Sequence, residues 1–244
     1  MVLRRLLPPP GPLEDGTPDD GHLDDAGLHD LCAPGPGVRA GFVLSTDGAV
    51  SAGGSSRPLQ SPADLLSFTT LRAVSDAVLV GAGTARSEDY GPVRPRPAGR
   101  AWRAARGLPE APPLVLVSRS LALDPGARCF TGPTVVVTCA AAPGRDRFPD
   151  VVVAGEEQVD LTDAVRQLAA RGLHRLLCEG GPTLLTALLR AGLVDELCLT
   201  LSPLLVGGAP GLLTGALDAP LPLRLEHLVD ASGGVLLARY RLQR

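Results

Sequence analysis

Short apolar runs alternate with helical patterns over most of the chain. Residues 38–46 form the first run of strand length, and five more follow at 77–80, 114–117, 134–138, 151–154 and 174–178. Ser61 is a predicted helix N-cap, because Pro62 occupies the first helical position and Asp64 supplies an acid in the first turn. Pro182 begins another predicted helix. Short strands that alternate with helices of about ten residues are typical of a layered α/β fold.

The last part of the chain has a different pattern. Residues 197–201, 223–229 and 235–242 are strand-length apolar runs with little helical pattern between them. Successive strands without intervening helices favour antiparallel pairing. We therefore predict a three-layer α/β fold with a mixed sheet, helices on both faces and antiparallel C-terminal strands. The stretch at 91–113, rich in Pro, Gly and Arg, is predicted to be a surface loop.

The first 37 residues form a Pro- and Gly-rich arm with an acidic middle. Such a composition does not build extended regular structure. One short helix is predicted at 24–31, with Leu23, Leu28 and Leu31 on one side. We expect this arm to pack on the main domain or to stay mobile, and we divide the chain into the arm, 1–37, and one domain, 38–244.

Composition excludes several classes of function. The chain carries 23 Arg, no Lys and 26 acidic residues, and its net charge of −3 disfavours nucleic-acid binding. Without Lys, Schiff-base catalysis and Walker-type ATP binding are excluded. No apolar stretch approaches the roughly 20 residues of a membrane span. The 4 His lack metal-ligand spacing, so we predict no metal, and 5 Cys without a C-x-x-C pair fit a cytoplasmic protein.

Two glycine-containing segments follow predicted buried strands. After 174–178, Glu179-Gly180-Gly181 leads into the helix that begins at Pro182, whose free N–H groups and dipole suit a pyrophosphate. Gly81 to Thr84 follows the strand at 77–80. Either segment alone is also compatible with a tight turn that binds nothing, and neither is the G-x-G-x-x-G fingerprint. Two such turns at strand ends favour a dinucleotide cleft.

Two acidic residues have alternative interpretations. Asp47 precedes Gly48 at the end of the first strand, where an Asp commonly bonds backbone N–H groups in a turn. It is equally compatible with a carboxylate directed into the cleft. Glu179 is either a charge at the start of a helix or a second carboxylate in that cleft.

A family resemblance rests on six segments that occur in a fixed order: 39–48, 61–72, 80–84, 179–184, 192–197 and 203–208. Together they resemble the reductase domain of the bacterial bifunctional riboflavin deaminase-reductase family, which has a dihydrofolate-reductase-like fold. The resemblance covers residues 38–244 and is closest to free-standing pyrimidine reductases. It implies NADPH-dependent reduction of 5-amino-6-(5-phosphoribosylamino)uracil. The H-x-E and P-C-x-x-C zinc signature of the fused deaminase is missing, so we expect no deaminase activity.

The resemblance implies a set of cofactor-binding residues. Gly180 and the next four residues correspond to the turn that binds the pyrophosphate, and Val43 and Thr84 correspond to positions beside the cofactor. Ser118, Arg119 and Ser120 lie where the family meets the adenosine end, and a guanidinium with hydroxyls suits a 2′-phosphate. An exposed polar turn is the alternative for that trio. The full expected set is Val43, Thr84, Glu88, Ser118, Arg119, Ser120, Gly180, Gly181, Pro182, Thr183 and Leu184.

The resemblance also implies substrate contacts and catalytic groups. The expected substrate contacts are Ser56, Arg72, Glu88, Arg94 and Glu179, with Glu88 touching both ligands and Arg96 as the second choice for a phosphate-binding Arg. No His lies in a matched motif. Asp47 or Glu179, or a water that they hold, is therefore the expected catalytic polar group beside the hydride acceptor.

Three positions depart from the family pattern. Gly41 stands where many members have Lys, and Leu65 and Leu66 stand where many have a pair of Arg. Two alternatives therefore remain: a related reductase acting on another pteridine or pyrimidine, and a non-catalytic NADPH-binding homologue. The resemblance further implies a homodimer.

Overall fold

The computed structural model describes residues 1–9 and 20–243. Within these residues ten strands form one sheet: β1 (Arg4–Leu7), β2 (Gly37–Ser45), β3 (Ala77–Gly81), β4 (Leu114–Val117), β5 (Thr134–Thr138), β6 (Val151–Val153), β7 (Arg175–Cys178), β8 (Val194–Ser202), β9 (Leu223–Asp230) and β10 (Leu236–Leu242). The helices are α1 (Asp25–Cys32), α2 (Pro62–Ala73), α3 (Ala82–Ser87), α4 (Pro97–Ala104), α5 (Leu161–Ala170) and α6 (Pro182–Arg190).

The strand order divides the sheet into a parallel part and an antiparallel part. The order is β1-β9-β10-β8-β2-β7-β3-β4-β5-β6. All neighbours from β8 to β6 are parallel, whereas β10 pairs antiparallel with both β8 and β9, and β1 pairs antiparallel with β9. The carboxyl ends of β2, β7, β3 and β4 therefore lie side by side at one edge, where ligands bind in open α/β sheets.

Helices cover both faces of the sheet. On one face, Leu168 of α5 and Leu185 of α6 pack with apolar residues of β2, β3, β5 and β7. On the other face, Leu71 of α2 and Ala85 of α3 pack against β3, β4 and β5. The mixed sheet, its antiparallel C-terminal strands and these two helical layers confirm the predicted fold class.

The helix starts follow local signals. Ser61 Oγ accepts a hydrogen bond from Asp64 N at 3.1 Å, and Pro62 stands at the first position of α2. Pro182 has the same place in α6, after a Gly181 N-cap that makes no side-chain hydrogen bond. Both starts lie at the predicted residues, because N-terminal caps depend on neighbours in the sequence.

The described part of the N-terminal arm packs on the domain. Its α1 confirms the predicted short helix, and Leu28 is 1% exposed in a cluster with Leu3 and Leu66. The arm also contributes the strand β1, which was not predicted. Its partner, β9, lies near the other end of the sequence. The Pro-rich middle of the arm at 10–19 lies outside the described residues.

The prediction of a surface loop at 91–113 is wrong in its centre. Residues Pro97–Ala104 form α4, and Trp102 and Arg103 are buried. The Arg103 guanidinium donates to the carbonyl oxygens of Ala73, the last residue of α2, and of Ser75, at 2.9 and 2.7 Å. In the sequence, an Arg that binds carbonyl oxygens near a helix C-terminus cannot be told from an Arg on the surface. The Arg-rich composition of this stretch therefore did not reveal the helix.

Candidate active site

A cavity of about 540 Å³ opens at the carboxyl edge of the parallel strands. Its wall is built from the ends of β2 and β7, one side of α2, and the segments at 50–60 and 84–94. All five predicted substrate contacts line this cavity, as do four of the predicted cofactor contacts besides Glu88: Val43, Thr84, Gly181 and Pro182. Arg94 is part of the wall and Arg96 is not.

The centre of the wall is a cluster of three side chains around the buried carboxylate of Glu179. Arg72 donates to both oxygens of Glu179, from Nε at 2.6 Å and from Nη2 at 2.7 Å. The Tyr90 hydroxyl donates to Glu179 Oε2 at 2.9 Å. Burial raises the pKa of Tyr90 well above its ordinary value, and the Glu179 carboxylate raises it further, so the phenol keeps its proton and remains a donor.

Two predicted residues, Arg72 and Glu179, are partners of each other in this cluster. Glu179 is 5% exposed, and its carboxylate is paired with a cation that was predicted as an independent substrate contact. Arg72 also lies over the rings of Phe68 and Tyr90, at 5.2 and 5.6 Å from their centroids. Neither residue faces the cavity as an isolated charge, because bidentate pairing satisfies both. Tyr90 was not predicted, and a single Tyr in a polar segment offers no signal for it.

A second group of contacts anchors the entrance on the side of residues 55–56. Glu88 Oε1 accepts from Ser56 N at 2.9 Å, and Glu88 Oε2 accepts from the Ser55 hydroxyl at 3.1 Å. The acid therefore holds the turn that carries Ser56 against the end of α3. This places the two predicted substrate contacts, Ser56 and Glu88, next to each other.

The Gly180-Gly181 turn requires glycine at its first position and leaves a side chain little space at its second. Gly180 has φ +93°, and a Cβ there would lie 2.8 Å from the Phe42 ring. A Cβ on Gly181 would lie 2.5 Å from Thr84 Oγ1. Gly180 O in turn accepts from Gly81 N at 2.7 Å, so the two predicted glycine turns are in direct contact. The Gly180–Gly181 peptide bond is cis.

The start of α6 suits an anion. Its N-cap is a glycine without a capping side chain, so the first N–H groups of the helix remain available to a ligand. Thr183 is exposed in this first turn, whereas Leu184 is buried in the core and offers the ligand only its backbone. A pyrophosphate therefore fits the residues present at this helix start.

The predicted adenosine site lies at the end of β4, two strands from β7. Ser118 is 5% exposed, and its hydroxyl accepts from Leu121 N at 3.1 Å to close the turn. Arg119 and Ser120 are exposed, and Arg119 Nη1 donates to Gln158 at 3.2 Å. Arg119 and Ser120 are thus available to a phosphate, while Ser118 shapes the turn.

Asp47 lies outside the cavity lining. Its carboxylate accepts from Gly207 N at 2.7 Å, Val206 N at 3.1 Å and the Ser45 hydroxyl at 2.5 Å. The Ser45 hydroxyl and the Gly207 and Val206 N–H groups lower the pKa of Asp47 to about 2. This geometry matches the turn interpretation and not a carboxylate directed into the cleft. A part for Asp47 in proton transfer stays a prediction.

Several residues of the wall were not predicted from the sequence. They include Arg57, Gln60, Leu65, Phe68, Tyr90, Arg128 and Pro210. Pro210 reaches the wall because its carbonyl accepts from Val50 N at 3.0 Å. Leu65 had been noted only as a departure from the family, yet it is 51% exposed at the wall. These residues lie far apart in the chain, and their spacing in the sequence gave no sign that they would meet at one cavity.

The structure also bears on metal sites and on membrane-spanning helices. In the described part of the chain, no group of three or more His, Cys, Asp or Glu could hold a metal ion. Among those same residues, no helix combines the length and apolar character needed to cross a bilayer.

Solved structures with this architecture define the class of the protein. A pyrimidine reductase-like protein from Corynebacterium diphtheriae superposes with a TM-score of 0.77 at 30% identity, over 86% of this chain and 92% of that one. RibD from Acinetobacter baumannii gives a TM-score of 0.68 at 23% identity, over 86% of this chain and 58% of that one. The chain is a reductase of the kind that uses a nicotinamide cofactor.

The family follows from the sequence comparisons. The chain belongs to the RibD C-terminal domain family, whose profile matches residues 36–237. The 2,5-diamino-6-ribosylamino-4(3H)-pyrimidinone 5′-phosphate reductase of Methanothermobacter thermautotrophicus is 32% identical over 180 residues, which cover 71% of this chain and 80% of that protein. RibD of Mycobacterium tuberculosis is 31% identical over 71% of this chain and 44% of its own length. The family resemblance predicted from the motifs is confirmed.

Proposed function

We propose that this chain is an NADPH-dependent reductase of a phosphoribosylamino-pyrimidine in riboflavin biosynthesis. The substrate is 5-amino-6-(5-phosphoribosylamino)uracil, whose ribosyl group becomes a ribityl group. The observation that carries the proposal is the continuity of one site. In a chain of the RibD C-terminal domain family, the start of α6, whose first N–H groups have no capping side chain, lies at a cavity lined by Ser56, Arg72 and Glu179.

A second substrate is supported by the names of two free-standing relatives. The proteins from Methanothermobacter thermautotrophicus and Archaeoglobus fulgidus are both named as reductases of 2,5-diamino-6-ribosylamino-4(3H)-pyrimidinone 5′-phosphate. That compound differs from the uracil in its pyrimidine ring and shares the phosphorylated sugar. The same cavity would accept either ring, and only an assay with both separates them.

The cofactor-side residues supply binding and orientation. The start of α6 binds the pyrophosphate through its N–H groups, and Arg119 and Ser120 bind the 2′-phosphate that distinguishes NADPH from NADH. Val43, Thr84 and Gly181 line the cavity together, and Val43 and Thr84 bound the space for the nicotinamide. When bound, the nicotinamide supplies the hydride.

The substrate-side residues position the sugar carbon that accepts the hydride. In the ring-opened imine, the hydride adds to the sugar carbon, the C=N π bond breaks, and the nitrogen takes up one proton. The Arg72–Glu179 pair and the Tyr90 hydroxyl form the polar surface beside this carbon. Their part is to orient the imine and an ordered water that delivers the proton, since positioning alone contributes much of the rate.

The proposal extends to assembly and location. We expect a homodimer in the cytoplasm. The exposed Leu221 and Leu223, beside the antiparallel part of the sheet, favour an apolar contact there. Sedimentation of the purified protein distinguishes a dimer from a monomer.

An absorbance assay tests the function. The purified protein is mixed with each pyrimidine phosphate and with NADPH or NADH, and loss of reduced nicotinamide is followed at matched concentrations. We expect substrate-dependent oxidation with a preference for NADPH, and Arg119→Ala lowering NADPH affinity about tenfold while leaving NADH affinity unchanged. Oxidation with a pteridine alone would favour the related reductase. NADPH binding without turnover of any pyrimidine would favour the non-catalytic homologue.

A further inference from the structure

The Arg residues of the cavity wall fall into two classes. Four guanidiniums line the cavity, from Arg57, Arg72, Arg94 and Arg128. Arg72 is paired with Glu179, and Arg128 is paired with Asp89. A guanidinium already neutralised by a carboxylate has little attraction left for a substrate anion.

Arg57 and Arg94 form the other class. Among the residues that the structure describes, neither has a carboxylate within ion-pair distance, and both are exposed at the wall. Three acids line the same cavity: Glu179 and Asp89 are the partners of Arg72 and Arg128, and the oxygens of Glu88 accept from the Ser55 hydroxyl and Ser56 N. With the two ion pairs set aside, two cations and one carboxylate remain on the cavity wall, so its balance is positive.

The three positions at which many family members have a cation carry no charge in this chain. Gly41 lines the cavity without a side chain, and Leu65 presents an apolar side chain to it. Leu66 is 4% exposed and packs in the core with α1. None of these three positions can contribute charge to the cavity, so a substrate phosphate must find its countercharge elsewhere on the wall.

We propose that Arg57, which lines the same cavity as the predicted substrate contact Arg94, binds the phosphate of the substrate and makes the cavity selective for phosphorylated pyrimidines. This inference rests on the proposed function and identifies the residues that recognise one end of its substrate. Arg57 follows the Ser55–Ser56 turn held by Glu88, so its backbone is positioned even though its side chain is exposed. A planar guanidinium fork suits a phosphate better than a point charge does.

The test compares phosphorylated substrate with the same compound after phosphatase treatment. Arg57→Ala is expected to raise the KM for the phosphorylated form about tenfold, with little change in kcat and no change in KM for the dephosphorylated form. Arg57→Lys is expected to fall between Arg57→Ala and the unaltered protein. Arg145→Ala is the matched control, because Arg145 is exposed and lies outside the cavity.

A binding measurement separates failure of this inference from failure of the proposed function. Calorimetry with ribose 5-phosphate needs no turnover, and its affinity is expected to fall in Arg57→Ala and to stay unchanged in Arg145→Ala. If the unaltered protein reduces no pyrimidine but binds ribose 5-phosphate through Arg57, only the proposed function fails. Equal effects of Arg57→Ala on both substrate forms, or unchanged ribose 5-phosphate affinity in that variant, overturn the inference.

Discussion

The cofactor-side turn and the substrate-side wall are built in different ways. The turn at 179–184 comes from one short segment in which two glycines and a proline set the path from β7 into α6. The wall is assembled from the end of β2, from α2, from residues 50–60 and 84–94, and from Pro210. Its central ion pair joins residues 107 positions apart. Local chain geometry determines the first region, and long-range packing determines the second.

The comparison predicts that the two regions differ in how well they tolerate substitution. The turn leaves no space for a Cβ at Gly180 or Gly181, so its sequence is restricted. The wall carries an apolar residue at 65 and a glycine at 41, while its Arg72–Glu179 pair is complete. A binding wall built from many segments can exchange one contact for another without losing its shape.

Breaking the central pair of the wall has the largest expected effect. Glu179→Gln leaves the Arg72 guanidinium half-buried without a countercharge, and we expect a loss of about 4 kcal/mol in the free energy of unfolding. Urea denaturation measures it. Glu88→Gln is the matched control, since Glu88 has no cation partner among the described residues and its loss is expected to cost about 1 kcal/mol. Equal losses in the two variants would contradict a special role for the pair.

A buried acid beneath the wall gives a pH-dependent prediction. Asp64 is 1% exposed, and burial raises its pKa to about 6, opposed by a hydrogen bond from Thr200 and assisted by the charge of Glu179. The folded state therefore holds a proton that the unfolded chain, in which the carboxyl has its ordinary pKa of 3.8, has already released. This contribution to stability is present below about pH 4 and is lost as the pH rises through 6.

Asp64→Asn removes that loss. Relative to the unaltered protein, the variant is expected to gain up to about 3 kcal/mol of stability between pH 4 and pH 7, at about 1.4 kcal/mol for each unit by which the pKa is raised. Denaturation midpoints of both proteins over this range measure the difference. Carboxylates with a lowered pKa, such as Asp76, make stability rise with pH in both proteins, so their contribution cancels when one stability is subtracted from the other. Parallel curves would show that Asp64 ionises normally.

A single added methyl group tests the cofactor-side turn at 179–184. Gly181→Ala places a Cβ 2.5 Å from Thr84 Oγ1, so either the Thr84 side chain beside the cavity or the start of α6 must shift. We expect NADPH affinity to fall about a hundredfold, because a displacement of about 1 Å at a binding site has effects of this size. Fluorescence titration of NADPH measures the affinity. Gly83→Ala is the control, because a Cβ there meets nothing within 4 Å.

The smallest effect is expected at Asp47. Asp47→Asn loses one acceptor for the N–H groups of Val206 and Gly207, and it changes no residue that lines the cavity. We expect turnover to fall less than tenfold, with NADPH affinity unchanged. Steady-state kinetics and a thermal melt measure both quantities. A hundredfold loss of kcat at unchanged melting temperature would instead support proton transfer through Asp47.

The fold was largely predictable from residue patterns, and the exceptions have physical causes. Buried parallel strands are continuous apolar runs, so β3, β4 and β5 appear directly in the sequence. Helix α4 was missed because Arg103 is buried by carbonyl hydrogen bonds that composition does not reveal. Strand β1 was missed because its partner, β9, lies at the other end of the chain.

The candidate site divides along the same line. Residue patterns indicated the Gly180–Gly181 turn and the start of α6, because glycines and helix caps act over a few neighbours. The set Ser56, Arg72, Glu88, Arg94 and Glu179 was implied by the family resemblance. The pairing of Arg72 with Glu179 and Tyr90, and the direction of Asp47 toward Gly207, emerge only when distant segments meet. The same holds for Arg57, which meets no carboxylate among the described residues. Charge partners depend on distances in space, and no local pattern encodes those distances.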